Sequence, residues 1–441
     1  MAPLRSAFLF AAAASLLSCA VAEDLFPNKV HVDSSTLWSI EYHDSWKYLV
    51  NVGTKNGYVL YQKGTAKPPA KNETDKFFEV PVEKAAIFLT TVVPYLEMLG
   101  LRDKIAVVEY EEAIASGCVL SNIQKQSTLA INSNNKTEVA AQLSGVDIIF
   151  DGQFTNDTVN NAKNVLSSAS QDPGPLRRVE WLEFYSAFFN YEKQANELTS
   201  SINDNYNCIS KKAIAVAGDK KPVFAWASYV APSQYNNNTA SYTISVADFK
   251  KDLVSAAGGQ VLETSTGGNL AGSTITFNDL KPFQEALKGV DVLLDETYGG
   301  AVTDMKSFYT QYGLTAESDY KFIKNKSIYR YDLLQTKGGG VDWLSNGVLM
   351  QDAALEDVAN SLHEKFTNNY EFKWFRNIAK DVAVKISSEE CKDPAQPLKS
   401  YATQCTADSK NFSDAKGSAT SVVTSLLASS VLAFVASILV I

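Results

Sequence analysis

The feature that most constrains this chain is a change of rhythm in its middle. From Leu176 to about Tyr206 a helical period runs for about 30 residues without Gly or Pro, far beyond the usual helix of about 11–12. Its apolar and aromatic positions include Val179, Leu182, Phe184, Tyr185, Phe188, Phe189, Ala195, Leu198 and Ile202. On either side, short apolar strands alternate with helices. Before it the pattern predicts strands at Ala85 to Leu89, Ile105 to Val108 and Val146 to Phe150. Helices are predicted at Val92 to Leu99, closed by Gly100, and at Glu138 to Leu143. After it, strands are expected at Pro222 to Ala227, Val290 to Leu294 and Ser327 to Tyr331. Helices are expected at Val246 to Ala257, Phe283 to Leu287, Met305 to Tyr312 and Gln351 to Phe366. Continuously apolar strands between helices imply parallel sheets covered on both faces. The expected class is α/β, with two parallel-sheet lobes and one long α-helix as a spine.

Ahead of the first lobe strand, Thr36 to Asn51 and Tyr58 to Gln62 are rich in β-branched and aromatic residues. With the turn pair Asn56-Gly57 between them they read as a β-meander. Both ends of the chain are apolar. Arg5, the run Ala7 to Leu17 and the small residues Ala20-Val21-Ala22 are expected to be a secretory signal cut after Ala22. Leu16-Leu17-Ser18-Cys19 also loosely matches a bacterial lipoprotein signal. Val422 to Ile441 carries no charge. With small residues near Ser413-Asp414-Ala415 or Gly417-Ser418-Ala419 it fits a GPI-attachment signal, the alternative being a single membrane span. The expected layout is a signal over 1–22, an N-terminal lobe over 23–174 and a linker helix over 175–208. A C-terminal lobe over 209–385, a stem over 386–415 and an apolar tail over 416–441 follow.

Removing the signal leaves Cys118, Cys208, Cys391 and Cys405, an even number suited to an oxidising compartment. Cys391 and Cys405 are near neighbours and are expected to staple the stem, leaving Cys118 with Cys208, although sequence alone does not set connectivity. Asn-x-Ser/Thr sites at Asn72, Asn135, Asn156, Asn237, Asn325 and Asn411 point to a glycosylated, eukaryotic secretory product.

Charge narrows the ligand. A net charge of −9 and a pI near 5.1 argue against a nucleic-acid partner. Beyond Arg5 the arginines are only Arg102, Arg177, Arg178, Arg330 and Arg376, and the histidines only His31, His43 and His363. A strongly anionic ligand wants clustered Arg, and a transition metal wants clustered His or Cys. Aromatics, at 11% with 6 Trp and 20 Tyr, suit instead a large, nearly neutral organic ligand held by stacking. Gly338-Gly339-Gly340 lacks the Lys-Ser/Thr of a phosphate loop. No Gly-x-Ser-x-Gly or other nucleophile motif occurs, so no enzyme is expected.

The order of elements resembles the class III periplasmic substrate-binding proteins, which serve import of ferric siderophores, haem, cobalamin and some metals. Val82 to Tyr110 looks like that family's first strand, ligand loop, helix ending in Leu-Gly and second strand. Val146-Asp147-Ile148-Ile149-Phe150 looks like a lobe strand opening onto the cleft, and Glu180-Trp181 through Ala195-Asn196 like the linker helix. Val290 to Asp295 and Gly338 to Leu362 resemble the second lobe, so the likeness covers roughly 80–365. The resemblance implies two Rossmann-like lobes joined by a rigid helix, with ligand in the cleft between them. Surface-anchored eukaryotic forms, such as algal cobalamin-acquisition proteins, share this plan.

In such lobes ligand sits beyond the carboxyl ends of the strands. That nominates Thr90, Thr91, Tyr95, Tyr110, Asp151 and Phe154 in the first lobe, and Trp226, Tyr229, Tyr298, Asp342 and Trp343 in the second. About half of such nominees are expected to be ordinary core. The leading expectation is a cell-surface protein that captures cobalamin. The alternatives are a ferric hydroxamate siderophore, or a ligand-free adhesion or structural role, which glycans at Asn156 and Asn237 beside the cleft would favour. Further expected partners are the membrane, through the C-terminal anchor, and an unidentified transporter or endocytic receptor.

Overall fold

The computed structural model describes residues 24–131, 135–152, 161–264 and 266–413. The expected signal, the apolar tail, Phe154 and Asn156 lie outside the described residues. The class is α/β, as expected. Strands Leu129–Ala130, Ile105–Val108, Ala85–Ile87, Ile148–Gly152 and Asn164–Ser167 form a five-stranded sheet in that order, every neighbouring pair parallel. The three central strands are buried along nearly their whole length, the mark of a sheet covered on both faces.

In front of this sheet lies a second one built from Trp38–Tyr42, Trp46–Asn51 and Asn56–Gln62, an antiparallel meander with Lys76–Val80 added in parallel. The turn falls at residues 52–55, where Lys55 has φ of 59°, one step before the expected Asn56-Gly57. Gly57 has another duty inside the strand. A Cβ there would come within 2.5 Å of the Tyr48 hydroxyl and closer still to Asp75, so only glycine lets that hydrogen-bonded pair cross the sheet.

The second lobe is built on parallel strands Val223–Val230, Val292–Asp295 and Ile328–Arg330. It is extended by antiparallel Ser241–Ser245, Thr274–Phe277 and Asn269–Ala271 on one side and Arg376–Asn377 on the other. One hydrophobic core runs from Phe26 and Trp38 through Trp181, Phe184 and Phe188 to Trp226, Trp343 and Phe375, so the two halves share their packing.

The single helix expected over 176–206 is three: Pro175–Val179, Trp181–Ser186 and the 26-residue Glu192–Ala217. The break lies at Asn190, whose φ is 57°. Lys47, fully buried on the meander, reaches into it and donates to Ala187 O at 2.6 Å, Asn190 Oδ1 at 2.8 Å and Glu192 Oε1 at 2.5 Å. A helix end buried in the core needs such partners for its free carbonyls, and here a side chain from another layer supplies them. The long helix then buries Ala195, Thr199, Ile202, Tyr206, Ile209 and Ala213, alternating steps of four and three, against Gln351–Leu362. Among the described residues no helix is long and apolar enough to cross a membrane.

The disulfides correct the expected pairing. Cys118 is bonded to Cys391 and Cys208 to Cys405, across 273 and 197 residues. The chain from 391 to 405 travels across the molecule rather than folding back, so its two cysteines meet different elements. The sequon asparagines Asn72, Asn135, Asn237, Asn325 and Asn411 are all exposed.

Candidate functional site

The loops beyond the carboxyl ends of the two parallel sheets touch. Ser345 Oγ donates to Thr90 O at 3.1 Å, and Gly338 N donates to Glu112 O at 2.9 Å. Thr90 follows strand Ala85–Ile87, and Glu112 follows strand Ile105–Val108. A Cβ on Gly338 would lie 3.0 Å from both Glu112 O and Glu112 Cβ, so the triple-glycine loop is small because it lies against the facing lobe. Beside this contact a cavity of about 420 Å³ opens at the ends of strands Val292–Asp295 and Ile328–Arg330. Its lining includes Tyr298, Arg330, Tyr331, Asp332, Gln335 and Leu344, together with Gly338, Gly339 and Gly340.

The floor of this cavity is a buried charge network. Arg330 pairs with Asp295, donates from Nε to Asp332 at 2.8 Å and from Nη2 to Thr297 O at 2.9 Å. Arg376 grips the same Asp332 through Nε at 2.7 Å and Nη2 at 3.0 Å. Tyr312 donates to Asp295 at 2.6 Å. Burial raises the Asp295 carboxyl above its ordinary pKa, against the pull of Arg330. Burial also acts to raise Asp332, but hydrogen bonds from Arg376 and the charge of Arg330 outweigh it and leave that carboxyl lowered. Two guanidiniums and two carboxylates cancel, so the floor presents no net charge.

Two of the other arginines are also committed. Arg102 pairs with buried Glu97, and Arg178 donates to Asp172 O at 3.0 Å and Ser170 O at 2.8 Å while lying over the Phe249 ring. No grouping of three His, Cys, Asp or Glu suited to a metal ion occurs among the described residues. His363 Nε2 is 2.8 Å from Ala257 O, and burial lowers its pKa; His43 stacks on Trp46.

The nominated residues divide by burial. Tyr298, 91% exposed, lines the cavity, and Tyr110, 57% exposed, stands two residues before Glu112 on the facing lobe. Thr90 is partly buried at the lobe contact; Tyr229 is partly buried, its ring 5.7 Å from that of Tyr242. The remaining described nominees are interior. Tyr95 is fully buried and donates to Arg178 O at 2.8 Å. Asp151 is buried near the carboxyl end of the inner strand Ile148–Gly152, accepting from Gly152 N at 2.7 Å and Asn164 Nδ2 at 3.4 Å. Trp226 and Trp343 stack with ring centroids 6.2 Å apart, and the Phe375 ring packs against both. Asp342, buried beneath Trp374 Nε1 at 2.9 Å, is pushed up to about 7 by burial, against the pull of its hydrogen bonds from Trp374 and Asn346. Thr91 Oγ1 and Trp226 Nε1 are buried with no hydrogen-bond partner among the described residues.

Arg330, Asp332, Gln335 and Leu344 were missed by sequence reasoning. A signal existed: Tyr329-Arg330-Tyr331-Asp332 places an ion pair at the end of an apolar strand, where charge needs a reason.

Two α/β lobes thus meet through the loops that follow their parallel strands, and a cavity lined by second-lobe residues opens beside that contact. No protein-family model matches the chain. An uncharacterized protein of Methanocaldococcus jannaschii is 23% identical over 210 residues, 48% of this chain; the match spans 56% of that protein's length. Among solved structures, a periplasmic binding protein from Veillonella parvula aligns over 75% of this chain and 99% of its own, with 13% identity and a TM-score of 0.47. The petrobactin-binding protein of Bacillus subtilis aligns over 68% and 100%, with 13% identity and a TM-score of 0.48. A Staphylococcus aureus protein with bound ferrioxamine B aligns over 64% and 99%, with 13% identity and a TM-score of 0.43.

Proposed function

We propose that this chain is a solute-binding protein of the cell surface that captures a large, nearly neutral organic ligand between its lobes. Cobalamin is the first choice and a ferric hydroxamate siderophore the alternative. The observation that carries this reading is the charge-balanced cavity beside the lobe contact, lined by second-lobe residues that include Tyr298 and Tyr331. Arg330 on its lining and Arg376 behind Asp332 are already neutralised by Asp295 and Asp332, so a polyanionic ligand finds no free guanidinium there. At about 420 Å³ the cavity falls within the usual range for organic ligands of about 300–1,000 Å³, and it encloses one face or arm of such a molecule. Exposed Tyr298, Tyr110 and Leu344 offer flat apolar surface for the remainder.

The role is binding rather than catalysis. Asp342 and Glu183, whose pKa values are raised, lie within the packing, and Asp295, also raised, is held beneath the cavity by Arg330, Thr297 and Tyr312. Secretion through an N-terminal signal, glycosylation and a C-terminal anchor complete the proposal, with two disulfides supporting an oxidising compartment. A transporter or an endocytic receptor would then take the ligand onward.

Calorimetric titration of the secreted protein with cobalamin, and separately with a ferric hydroxamate siderophore, tests this. Saturable binding of one, weakened by Tyr298→Ala, supports the cleft reading. Binding of neither, with the protein folded, overturns it in favour of a ligand-free adhesion or structural role.

A further inference from the structure

The segment expected to hang as a stem instead crosses between the lobes twice. It leaves the second lobe at Ile386, whose amide donates to Gln335 O at 2.8 Å. On the first lobe Cys391 is bonded to Cys118 of helix Gly117–Gln124, Arg102 donates to the carbonyls of Pro394 and Gln396, and Leu398 N donates to Glu97 O at 3.0 Å. The chain then returns. Ser400 Oγ donates to Asp352 Oδ1 at 2.6 Å and Thr403 N to Glu356 Oε2 at 2.8 Å, both on the second-lobe helix Gln351–Leu362. Cys405 is bonded to Cys208 on the long helix, and Ser413 N donates to Phe366 O at 2.7 Å.

We infer that residues 386–413 are a strap that sets how far the lobes separate, and that the Cys118–Cys391 bond is its redox-sensitive buckle. Two segments join the lobes through Cys391: one runs back to Ile386, the other forward to Ser400 and Cys405. While the buckle is closed, neither lobe can swing away without stretching both. Once it is open, the strap holds the first lobe by noncovalent contacts alone: the polar ones just named, Ser387 and Glu390 packed close on Gly117, and Pro397 beside Gly100. The Cys208–Cys405 bond has a different effect, because it joins the returned strap to the long helix and spans no lobe gap on its own. Access differs in degree. Cys118, Cys391 and Cys208 are partly exposed and Cys405 is buried, so the buckle offers an external dithiol two reachable residues and the other bond one. Two electrons and two protons pass from that dithiol to the buckle; its S–S bond breaks to two thiols, and the dithiol closes to its own disulfide.

The test needs no ligand, so it stands apart from the identity of the solute. Spin labels are attached through keto-bearing residues introduced at exposed Leu129 and Leu270, one on each lobe, in the full chain expressed through the secretory route. Pulsed electron resonance then reads the interlobe distance. Wild type is expected to give one narrow distribution. Cys118→Ser/Cys391→Ser is expected to shift it to longer distances and broaden it, while Cys208→Ser/Cys405→Ser leaves it near wild type. Should the serine variants fail to fold, folded wild type is reduced with dithiothreitol and the opened pair identified by alkylation and peptide mass. Opening of Cys118–Cys391 first, with the same shift, supports the strap. An unchanged distribution after the buckle opens, or a larger change from the other pair, overturns it.

Discussion

Replacing Asp332 by Asn probes the charge balance under the cavity. Asp332 is 5% exposed and accepts from both Arg330 and Arg376, with three of its hydrogen bonds between 2.7 and 3.0 Å. An amide keeps the shape but removes the charge, and its NH₂ faces a guanidinium. Two buried guanidiniums then share Asp295 alone, leaving one unit of uncompensated charge. Breaking a buried pair this way costs about 3–5 kcal/mol. For a chain of this size that lowers the melting temperature by roughly 4–6 °C. Calorimetry at pH 7 reads the change directly. Because the Asp332 pKa is lowered on folding, its contribution is present above the unfolded carboxylate range and is lost as pH falls through the folded value. The deficit should therefore hold from pH 5 to 8 and shrink only in strong acid. The double variant Asp332→Asn/Arg376→Gln leaves Arg330 with Asp295 and restores the balance, so it should melt above the single variant. A single variant within 1 °C of wild type, or a double variant lower than the single, would refute the reasoning.

Three further outcomes follow from the same structure. Tyr298→Ala, at a side chain 91% exposed, should leave stability within about 0.5 kcal/mol yet reduce affinity for the captured ligand, read by urea melts and titration together. Lys47→Met strands the buried Glu192 carboxylate and two carbonyl oxygens, so urea denaturation should show a loss of about 3–5 kcal/mol at pH 8. The loss should shrink toward pH 5 as Glu192 takes up a proton. Burial, with Glu180 nearby, pushes the Glu183 carboxyl up to about 8. Its contribution is thus present below the unfolded carboxylate range and lost as pH rises through about 8, and Glu183→Gln should flatten the fall in urea midpoint between pH 5 and 9.

Much of the architecture was legible because strand and helix periods are local. Ile105–Val108 and Met305–Tyr312 fall where the pattern put them, and the other expected lobe elements lie within a few residues; strand Asn164–Ser167, helix Gly117–Gln124 and the antiparallel strands Ser241–Ser245 and Thr274–Phe277 were not foreseen. The parallel class followed from strands buried along most of their length. The candidate site was less legible. Tyr298 and Tyr110 were found by position after a strand, but Trp226 and Trp343, equally aromatic and equally well placed, are packed inside. Composition cannot separate a tyrosine facing a cavity from a tryptophan in the core.

Sequence by itself determined the alternation of strands and helices, the shortage of arginine and histidine, and the even set of four cysteines beyond residue 22. These depend on neighbouring residues or on simple counts. The helix break at Asn190, the charge-cancelled floor and the disulfide partners were decided by tertiary structure alone. Lys47 meets the break from 140 residues away, Arg376 meets Asp332 across 44, and Cys391 meets Cys118 across 273. No local period records such meetings, since burial makes each of these groups depend on a partner that the fold, not the chain order, brings within reach.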